Sequence, residues 1–434
     1  MELGIAKELE AYFDRLWPIC RSITGPGFRQ SLDILSEILP TQRLKFPTGR
    51  KVFDWSVPKE WVVRDAYLTD PSGKKRADFK ANNLHLVNYS VPFQGKVSLK
   101  DLKPHLHSLP ELPTAIPYLT TYFKEQWGFC LADEELRALP EGMYQVFIDT
   151  ELKNGHVEIG EAVIEGETKE EVLFSSYLCH PSMANNELSG PLTLAFLYRK
   201  IQALPKRKYT YRFAVMPETI GAICYLTERG EHFRKNLLAG YQLTWLAALQ
   251  PFTYKKSRRA DSLADRAASV VMRDAGEIHE TLPFNPSMGS DERQYCSPGF
   301  NLPVGCLMRG RYLASSEYHT SLDNKSFIRF EALEGSVNLC ADLVRAIESN
   351  ETFKNTVKFC EPQLGRRGLY PSTGGKKSGL PDKQAAMLWV LNFADGTRDL
   401  LKIAEESGQL LKNLIEAAGE LSAAGLLERT HVSV

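Results

Sequence analysis

The sequence of 434 residues has no net charge, because 53 lysines and arginines balance 53 aspartates and glutamates. Proteins that bind nucleic-acid phosphates need an excess of clustered basic residues, so this balance argues against a dedicated nucleic-acid-binding protein. Hydrophobic residues make up 43% of the chain and charged residues 24%, which is typical of a folded globular protein rather than of a disordered one. The length exceeds the ~250–300 residues at which a single core stops growing, so we expect more than one folding unit.

Long apolar runs and paired cysteines are also missing. No stretch approaches the roughly 18 consecutive apolar residues of a membrane span, and the first residues lack the basic start and cleavage site of a signal peptide. The eight cysteines are scattered, and none forms a Cys-x-x-Cys pair. This argues for free, mostly buried thiols and against a zinc knuckle, so we expect a cytoplasmic protein without membrane contact.

Hydrophobic periodicity and composition divide the chain into segments. Within residues 1–48, residues 5–40 carry helical spacing. Residues 49–143 contain short β-like pieces between prolines and glycines, which predict an inserted β-rich subdomain, here called the insert. Residues 144–355 alternate strands with helices and predict, together with 1–48, an α/β lobe. Strands at 144–148 and 157–164 are expected to pair. Strands at 171–177 and 209–216 flank a helix at 191–201 in a βαβ unit.

The end of the chain has a different texture. Residues 356–381 are rich in glycine, proline and basic side chains, which predicts a linker. Residues 382–434 show three short helical patterns that resemble a winged helix-turn-helix. Between 382 and 429 there are eight acidic residues and five basic ones, a poor match to DNA. We therefore expect this segment to pack within the protein or to form the contact of a homodimer or larger homo-oligomer.

Four polar segments lie at or just after predicted strand ends, where ligands collect in α/β sheets. They contain His180, Glu218, Asp291 and His319. Taken singly, each has an ordinary interpretation, such as a loop histidine, an acid at a helix start or an Asx turn. A carboxylate directly after an apolar strand, as at Glu218, is costly unless it is exposed, paired or metal-bound. Asp323, four residues after His319, could orient that histidine.

Taken together, the four segments resemble the zinc aminopeptidases of the M28 kind. His180 stands where that family has its first histidine ligand, and Asn186 in NELSG falls on the position of its bridging aspartate. Glu218 in ETIG aligns with a Glu-Glu-x-Gly motif. Asp291 in GSDERQY fits the aspartate ligand, and His319 in EYHTSLD fits the last histidine. The resemblance implies an α/β lobe whose mixed sheet is flanked by helices.

The chain is more similar still to a bacterial family of aminopeptidase-like proteins, known as DUF4910 and DUF2172. Its members carry similar motifs, in chain order SITGPG, VFDWSVP, NNLH, WGFC, CHPSMANNELSG, PETIG, GSDERQYCSPG and EYHTSLDN. The similarity spans Ser22 to Asn324, and a C-terminal winged-helix-like unit is also typical. We expect the insert to cap the mouth of the site, with one or two of its aromatic side chains lining a pocket. The candidates are Trp55, Trp61, Phe123, Trp127 and Phe129.

Two residues depart from the M28 pattern at the implied metal site. Asn186 replaces the bridging aspartate, and Thr219 replaces the second glutamate of Glu-Glu. Two Zn²⁺ ions close together need anionic ligands to offset their repulsion, so we expect a single Zn²⁺. His180, Asp291 and Asn186 would hold it, and His319 would complete the site or hold a weaker second ion.

The resemblance implies a zinc-dependent hydrolase of peptide or amide bonds, most simply an aminopeptidase on small or modified peptides, in a biosynthetic pathway. Glu218 would act as the base or, alternatively, as a metal ligand. Tyr318, Arg293 or Arg309 would stabilise an oxyanion or hold a substrate carboxylate. Glu187 would bind a free α-amino group, or is simply an acid in the first turn of a helix.

Two alternatives follow from the missing carboxylates and from the helical tail. The first is a non-hydrolytic or ligand-binding member of the same scaffold with a degenerate metal site. The second is a regulator in which the lobe senses a ligand and the acidic tail is the working part.

Overall fold

The computed structural model describes residues 4–369 and 382–430. They form two compact units, within Met1–Ala260 plus Glu280–Asn338 and within Asp261–His279 plus Leu339–Val434. Part of the predicted linker, 370–381, and the last four residues of the predicted helical tail lie outside the described residues. No helix within the described ranges has the length and apolar content needed to cross a bilayer.

The secondary structure follows the alternation of strands and helices that the sequence predicts. The helices are α1 (Ala6–Leu16), α2 (Pro26–Leu35), α3 (Leu99–Leu102), α4 (Asp133–Arg137), α5 (Ser189–Gln202), α6 (Ile220–Asn236), α7 (Leu263–Asp274), α8 (Glu292–Tyr295), α9 (Phe330–Glu348), α10 (Asp382–Phe393), α11 (Leu400–Ser407) and α12 (Leu411–Ala423). The strands are β1 (Gln42–Pro47), β2 (Lys51–Val52), β3 (Trp55–Ser56), β4 (Glu60–Thr69), β5 (Lys75–Asp78), β6 (Phe93–Ser98), β7 (Leu106–His107), β8 (Phe129–Cys130), β9 (Met143–Lys153), β10 (His156–Ile164), β11 (Glu171–Tyr177), β12 (Thr210–Met216), β13 (Leu237–Leu243), β14 (Phe252–Lys255), β15 (His279–Leu282), β16 (Val304–Arg309), β17 (Thr352–Asn355), β18 (Asp395–Asp399) and β19 (Leu427–Thr430).

The first unit is built on a mixed eight-stranded sheet with the strand order β1-β10-β12-β11-β13-β16-β14-β15. Its centre is parallel, since β11 pairs in parallel with β12 and β13, and β13 with β16. Every residue of β11 and β12 is buried, as expected for strands covered on both faces. Helix α5 connects β11 to β12, which confirms the predicted βαβ unit. The carboxyl ends of the parallel strands therefore meet at one edge of the sheet.

The insert forms its own antiparallel sheet with the strand order β5-β4-β9-β6, next to the short hairpin β2–β3. Strand β9 pairs with β4 and β6, whereas β10 pairs with β1 and β12 of the large sheet. The strands predicted at 144–148 and 157–164 thus join different sheets instead of each other. The predicted boundary at 143/144 falls at the start of β9.

The second unit contains α7, α10, α11 and α12 around the small sheet β18-β17-β19. The order helix, strand, helix, helix, strand from α10 to β19 is that of a winged helix. Helix α7, which precedes this segment by more than a hundred residues, packs against α11 and α12. Its Arg266 binds Asp399 through both carboxylate oxygens, at 2.6 and 2.8 Å. Its Asp274 accepts the backbone N–H of Leu411 at the start of α12.

Candidate active site

His180 lies three residues beyond the end of β11 and is buried. Its Nδ1 is 2.7 Å from the carboxylate of Glu187, and its Nε2 is 3.6 Å from that of Glu218. Burial alone would lower the pKa of His180, but Cys179 and Glu187 raise it well above its usual value. Since burial raises the pKa of the Cys179 thiol to about 11, the charge of Glu187 is the stronger physical cause. Glu187 therefore fixes the orientation of the ring.

A buried π-helical turn, Ala184–Leu188, carries the residues that follow His180. The carboxylate of Asp323 accepts the backbone N–H groups of Asn185 and Asn186 at 2.7 and 2.8 Å. Asp323 therefore holds this turn instead of orienting His319. Burial raises its pKa to about 7 although these hydrogen bonds oppose the change. Such single π turns inside helices are frequent at functional sites.

Glu218 and Thr219 form a strained turn directly after β12. Thr219 has φ 63° and ψ −73°, and the N–H of Ile220 donates to the carbonyl of Glu218 at 2.8 Å. This is the rare γ-turn with positive φ, a conformation that persists only when its surroundings hold it. Here the N–H of Thr219 donates to Asp291 Oδ1 at 2.7 Å, and the hydroxyl of Ser290 donates to Glu218 at 2.9 Å.

The two acids at this turn lie in a low-dielectric environment. Burial raises the pKa of Glu218, and His180 opposes that increase. Burial raises the pKa of Asp291 well above its usual value, and the nearby Glu218 adds to the effect. Asp291 Oδ2 and Glu187 Oε1 are buried without a hydrogen-bond partner. Buried carboxylate oxygens without partners are what a cation site needs.

His319 approaches the site from the opposite loop, again with a positive φ of 56°. Its ring centroid is 5.2 Å from that of His180 and 3.9 Å from that of Tyr318, on which it stacks. Burial and the nearby His180 lower the pKa of His319 to about 3. The ring is therefore neutral at physiological pH, which is the form that ligates metals.

A cavity of about 420 Å³ brings His180, Glu218 and His319 together. Trp55 and Phe123 of the insert also line it, whereas Trp61 and Phe129 are buried in the hydrophobic core. Cys179 lines the same cavity, although the sequence analysis did not single it out. Its Sγ accepts the backbone N–H of Glu218 at 3.3 Å. Its position directly before His180 in the sequence could have indicated that it lies at the site.

The remaining candidates lie around this cavity or away from it. Arg293 has a buried Nε without a hydrogen-bond partner, and its charge acts to lower the pKa of both Glu218 and Asp291. Burial raises the pKa of Tyr318 to about 12. Arg309 is engaged elsewhere: its guanidinium lies 3.7 Å over the ring of Phe252 and donates to Ser336 and Gln250. The structure thus does not bring Arg309 together with His180.

The donor set matches what Zn²⁺ takes in proteins, which is imidazole nitrogen, carboxylate oxygen and thiolate sulfur. Cys179, His180 and Glu187 place one potential ligand atom each within 4.8 Å of one another. The Nδ1 of His180 already binds Glu187, so its Nε2, which faces Glu218 and the cavity, is the atom left for a metal. A carboxylate behind a ligating histidine is the usual arrangement in zinc sites. The types of donor present here therefore fit zinc.

Known proteins of similar sequence carry the same architecture. A protein of Clostridium acetobutylicum with the provisional name of a polysaccharide biosynthesis protein with an aminopeptidase-like domain is 42% identical over 421 residues, 97% of this chain and 96% of that protein. A crystal structure from Clostridium acetobutylicum, provisionally named a peptidase, matches with 40% identity and a TM-score of 0.91, over 98% of this chain and 96% of that chain.

More distant solved structures share the fold. The zinc aminopeptidase BSAP of Bacillus subtilis matches with a TM-score of 0.57 at 13% identity, over 79% of this chain and 94% of that chain. A peptidase M28 precursor from Shewanella amazonensis matches with a TM-score of 0.52 at 13% identity, over 78% and 91%. The predicted M28-type lobe is thereby confirmed. A winged helix-turn-helix model matches residues 351–429, which confirms the C-terminal winged helix. The model of the domain of unknown function DUF4910 matches residues 10–350, and the chain belongs to that family.

Proposed function

We propose that this protein is a zinc-dependent hydrolase of amide bonds, an aminopeptidase acting on small or modified peptides. The observation that carries the proposal is the convergence of His180, Glu218 and His319 on one cavity. The aminopeptidase-like domain named in the Clostridium acetobutylicum relative supports it. That name also refers to polysaccharide biosynthesis, which favours a modified peptide or amide within such a pathway. The free thiols of all eight cysteines agree with a cytoplasmic location.

His180, through Nε2, and His319 would hold one Zn²⁺, with Asp291 and Asn186 as the further ligands that the family resemblance implies. When bound, the ion would acidify a water molecule and polarise the scissile carbonyl. Asp291 has a partnerless buried oxygen to offer. The backbone of Asn186 is held by Asp323, which fixes the position of that residue in the turn.

Glu218 is the general base of this proposal. The hydroxyl of Ser290 donates to Glu218 Oε1, and Glu218 Oε2 faces His180 Nε2 at 3.6 Å. Oε2 would take the proton of the attacking water. Burial raises the pKa of Glu218 above its usual value, and a carboxylate with a higher pKa is a stronger base. The proton then passes to the leaving amine. Tyr318 and Arg293 remain candidates for contact with the oxyanion or with a substrate carboxylate.

Glu187 takes a different role from the one expected on sequence. Its carboxylate has no exposed surface and lies against His180 Nδ1 at 2.7 Å. Arg21, also fully buried, donates to the carbonyl of His180 and acts electrostatically on Glu187. We assign Glu187 to orienting His180 rather than to binding an α-amino group.

The test is Glu218→Gln, which keeps the shape and the hydrogen bond from Ser290 but removes the base. We expect kcat on aminoacyl anilides to fall by ~10²–10⁴-fold while bound zinc, measured by mass spectrometry of metals, stays near stoichiometric. Glu228→Gln, on the exposed face of α6, is the matched control and should behave as wild type. Loss of zinc in Glu218→Gln would make Glu218 a ligand. Absence of zinc from gently purified wild type, with no amide cleaved, would contradict the proposal.

A further inference from the structure

A loop of the insert, residues 116–121, is hydrogen-bonded to the loop that presents His319. The N–H of Tyr118 donates to the carbonyl of His319 at 2.8 Å. The N–H of Ser321 donates to the carbonyl of Ile116, and the Ser321 hydroxyl accepts the N–H of Ile116, both at 2.9 Å. These bonds tie the insert to a histidine whose backbone is strained. The insert is therefore part of the wall of the site.

Two tyrosines of this loop region face the cavity together with His180, His319 and Glu218. The ring centroid of Tyr118 is 5.0 Å from that of His180 and 5.5 Å from that of His319. The hydroxyls of Tyr118 and Tyr122 are 2.8 Å apart and hydrogen-bond to each other. Neither tyrosine matches a motif of the resemblance, and neither has a role in the proposed function above.

A pair of tyrosine hydroxyls has two protons, and the hydrogen bond between them uses one. The second proton remains available to an acceptor in the cavity. The ordinary pKa of a tyrosine hydroxyl is about 10, so both hydroxyls carry their protons at physiological pH. The pair can thus offer one hydrogen bond to a group bound in the cavity.

We propose that the Tyr118–Tyr122 hydroxyl pair donates a hydrogen bond to the carbonyl oxygen of the substrate and stabilises the oxyanion that forms there. Tyr122 supplies the donated proton, and Tyr118 donates to Tyr122 and holds it in place. The inference rests on the proposed amide hydrolysis and adds a catalytic contact from the insert. A donor aimed at developing charge acts mainly in the transition state, so its loss lowers kcat more than it raises KM.

The alternative for these residues is a purely structural one, in which the rings fill space and the hydroxyls satisfy each other. Tyr→Phe variants separate the two, because they keep the ring and remove only the hydroxyl. For Tyr122→Phe we expect kcat to fall by ~10²-fold or more, which is the cost of removing one oxyanion donor. Tyr118→Phe keeps that donor but releases its hydroxyl from the Tyr118 hydrogen bond, so it should lower kcat by less than Tyr122→Phe does. The double variant should be no slower than Tyr122→Phe, since both act through one proton. Zinc content should be unchanged.

Tyr67→Phe, whose ring stacks on Phe147 in the sheet of the insert, is the control and should keep wild-type kcat. A second measurement is calorimetric binding of a phosphinate dipeptide analogue, a tetrahedral mimic, to zinc-loaded protein. Tyr122→Phe should weaken this binding by ~100-fold while leaving that of a simple amino-acid amide within a factor of three.

The outcomes separate this inference from the proposed hydrolysis. Active wild type with unchanged kcat in both variants, or additive losses in the double variant, would overturn the hydroxyl pair alone. Wild type that cleaves no amide, yet loses phosphinate affinity on Tyr122→Phe, would overturn the hydrolase and leave the hydroxyl pair as an oxyanion-binding element.

Discussion

The ion pair between Arg266 on α7 and Asp399 yields a sharp prediction about the second unit. Asp399 binds Arg266 through both oxygens, accepts a hydrogen bond from Asn350 at 2.9 Å, and caps α11 through the N–H of Lys402 at 2.8 Å. Asp399→Asn keeps the helix cap, because asparagine caps as well as aspartate does. It removes the negative charge and leaves the guanidinium of Arg266 mostly buried without its counter-ion.

The magnitude follows from the burial of the pair. Removing one partner of a buried ion pair costs ~3–5 kcal/mol. Both side chains are still 17% exposed. We therefore expect Asp399→Asn to lower the free energy of unfolding by the low end of this range, about 3 kcal/mol. Arg398→Gln is the matched control in the same unit. The side chains in its pairs with Asp395 and Glu406 are 31% to 48% exposed, so the loss of these pairs should cost less than about 1 kcal/mol.

The pH dependence supplies a second readout. Burial alone would raise the pKa of Asp399, but Arg266 outweighs it and the pKa is lowered. The pair therefore stabilises the folded unit fully above the unfolded pKa of ~3.9, and this contribution is lost as the pH falls through the lower folded value. Asp399→Asn should remove this part of the fall in stability at low pH.

Urea unfolding followed by tryptophan fluorescence measures these differences, because Trp389 on α10 reports on the second unit and the other tryptophans lie in the first. Subtracting the signal of a Trp389→Phe background isolates the transition. The attribution of stability to the Arg266–Asp399 pair is refuted if the free energy of unfolding of Asp399→Asn lies within about 0.5 kcal/mol of that of wild type. It is also refuted if Arg398→Gln lowers the free energy of unfolding as much as Asp399→Asn does.

Two further predictions concern the thiols and the carboxylate behind His180. Glu187→Gln should weaken zinc binding by ~10–100-fold, the usual cost of losing an outer partner of a histidine ligand; competition with a chromophoric chelator measures it, and unchanged affinity would show that Glu187 does not support the metal. In native protein, Cys360 is exposed, Cys20 is half-buried and the other cysteines are buried, so mass spectrometry after brief alkylation should find one rapidly modified thiol. Rapid modification of Cys179 would contradict the buried position of that residue.

The sequence predicted those parts of the fold whose signal is local. The apolar runs at β11 and β12 identified buried parallel strands, and their ends placed His180 and Glu218 at the same edge of the sheet. The partner of a strand is a non-local property, so nothing in residues 144–148 showed that β9 joins the insert. The packing partner of α7 could not be predicted for the same reason. Its amphipathic pattern indicates that one face is buried, but it does not indicate which elements cover that face.

The candidate site divides along the same line. His319 and Asp291 were singled out because their segments, together with those of His180 and Glu218, resemble the motifs of the M28 family. Tyr118 and Tyr122 come from a proline-rich loop without periodicity, and only the backbone bonds to His319 bring them to the cavity. The role predicted for Asp323 was wrong. A spacing of four residues is compatible with orienting His319 and also with binding the turn at Asn185, and only the three-dimensional structure distinguishes the two.

The place of α7 in the second unit has a consequence for how the protein is made. Arg266 precedes Asp399 by 133 residues, so the apolar face of α7 stays uncovered until α11 and α12 have been synthesised. Its buried residues include Val270, Val271 and Met272. A chain that stops before residue 382 cannot bury this face, which makes it a substrate for chaperones and proteases. Residues 382–430 thus complete the hydrophobic core that covers α7.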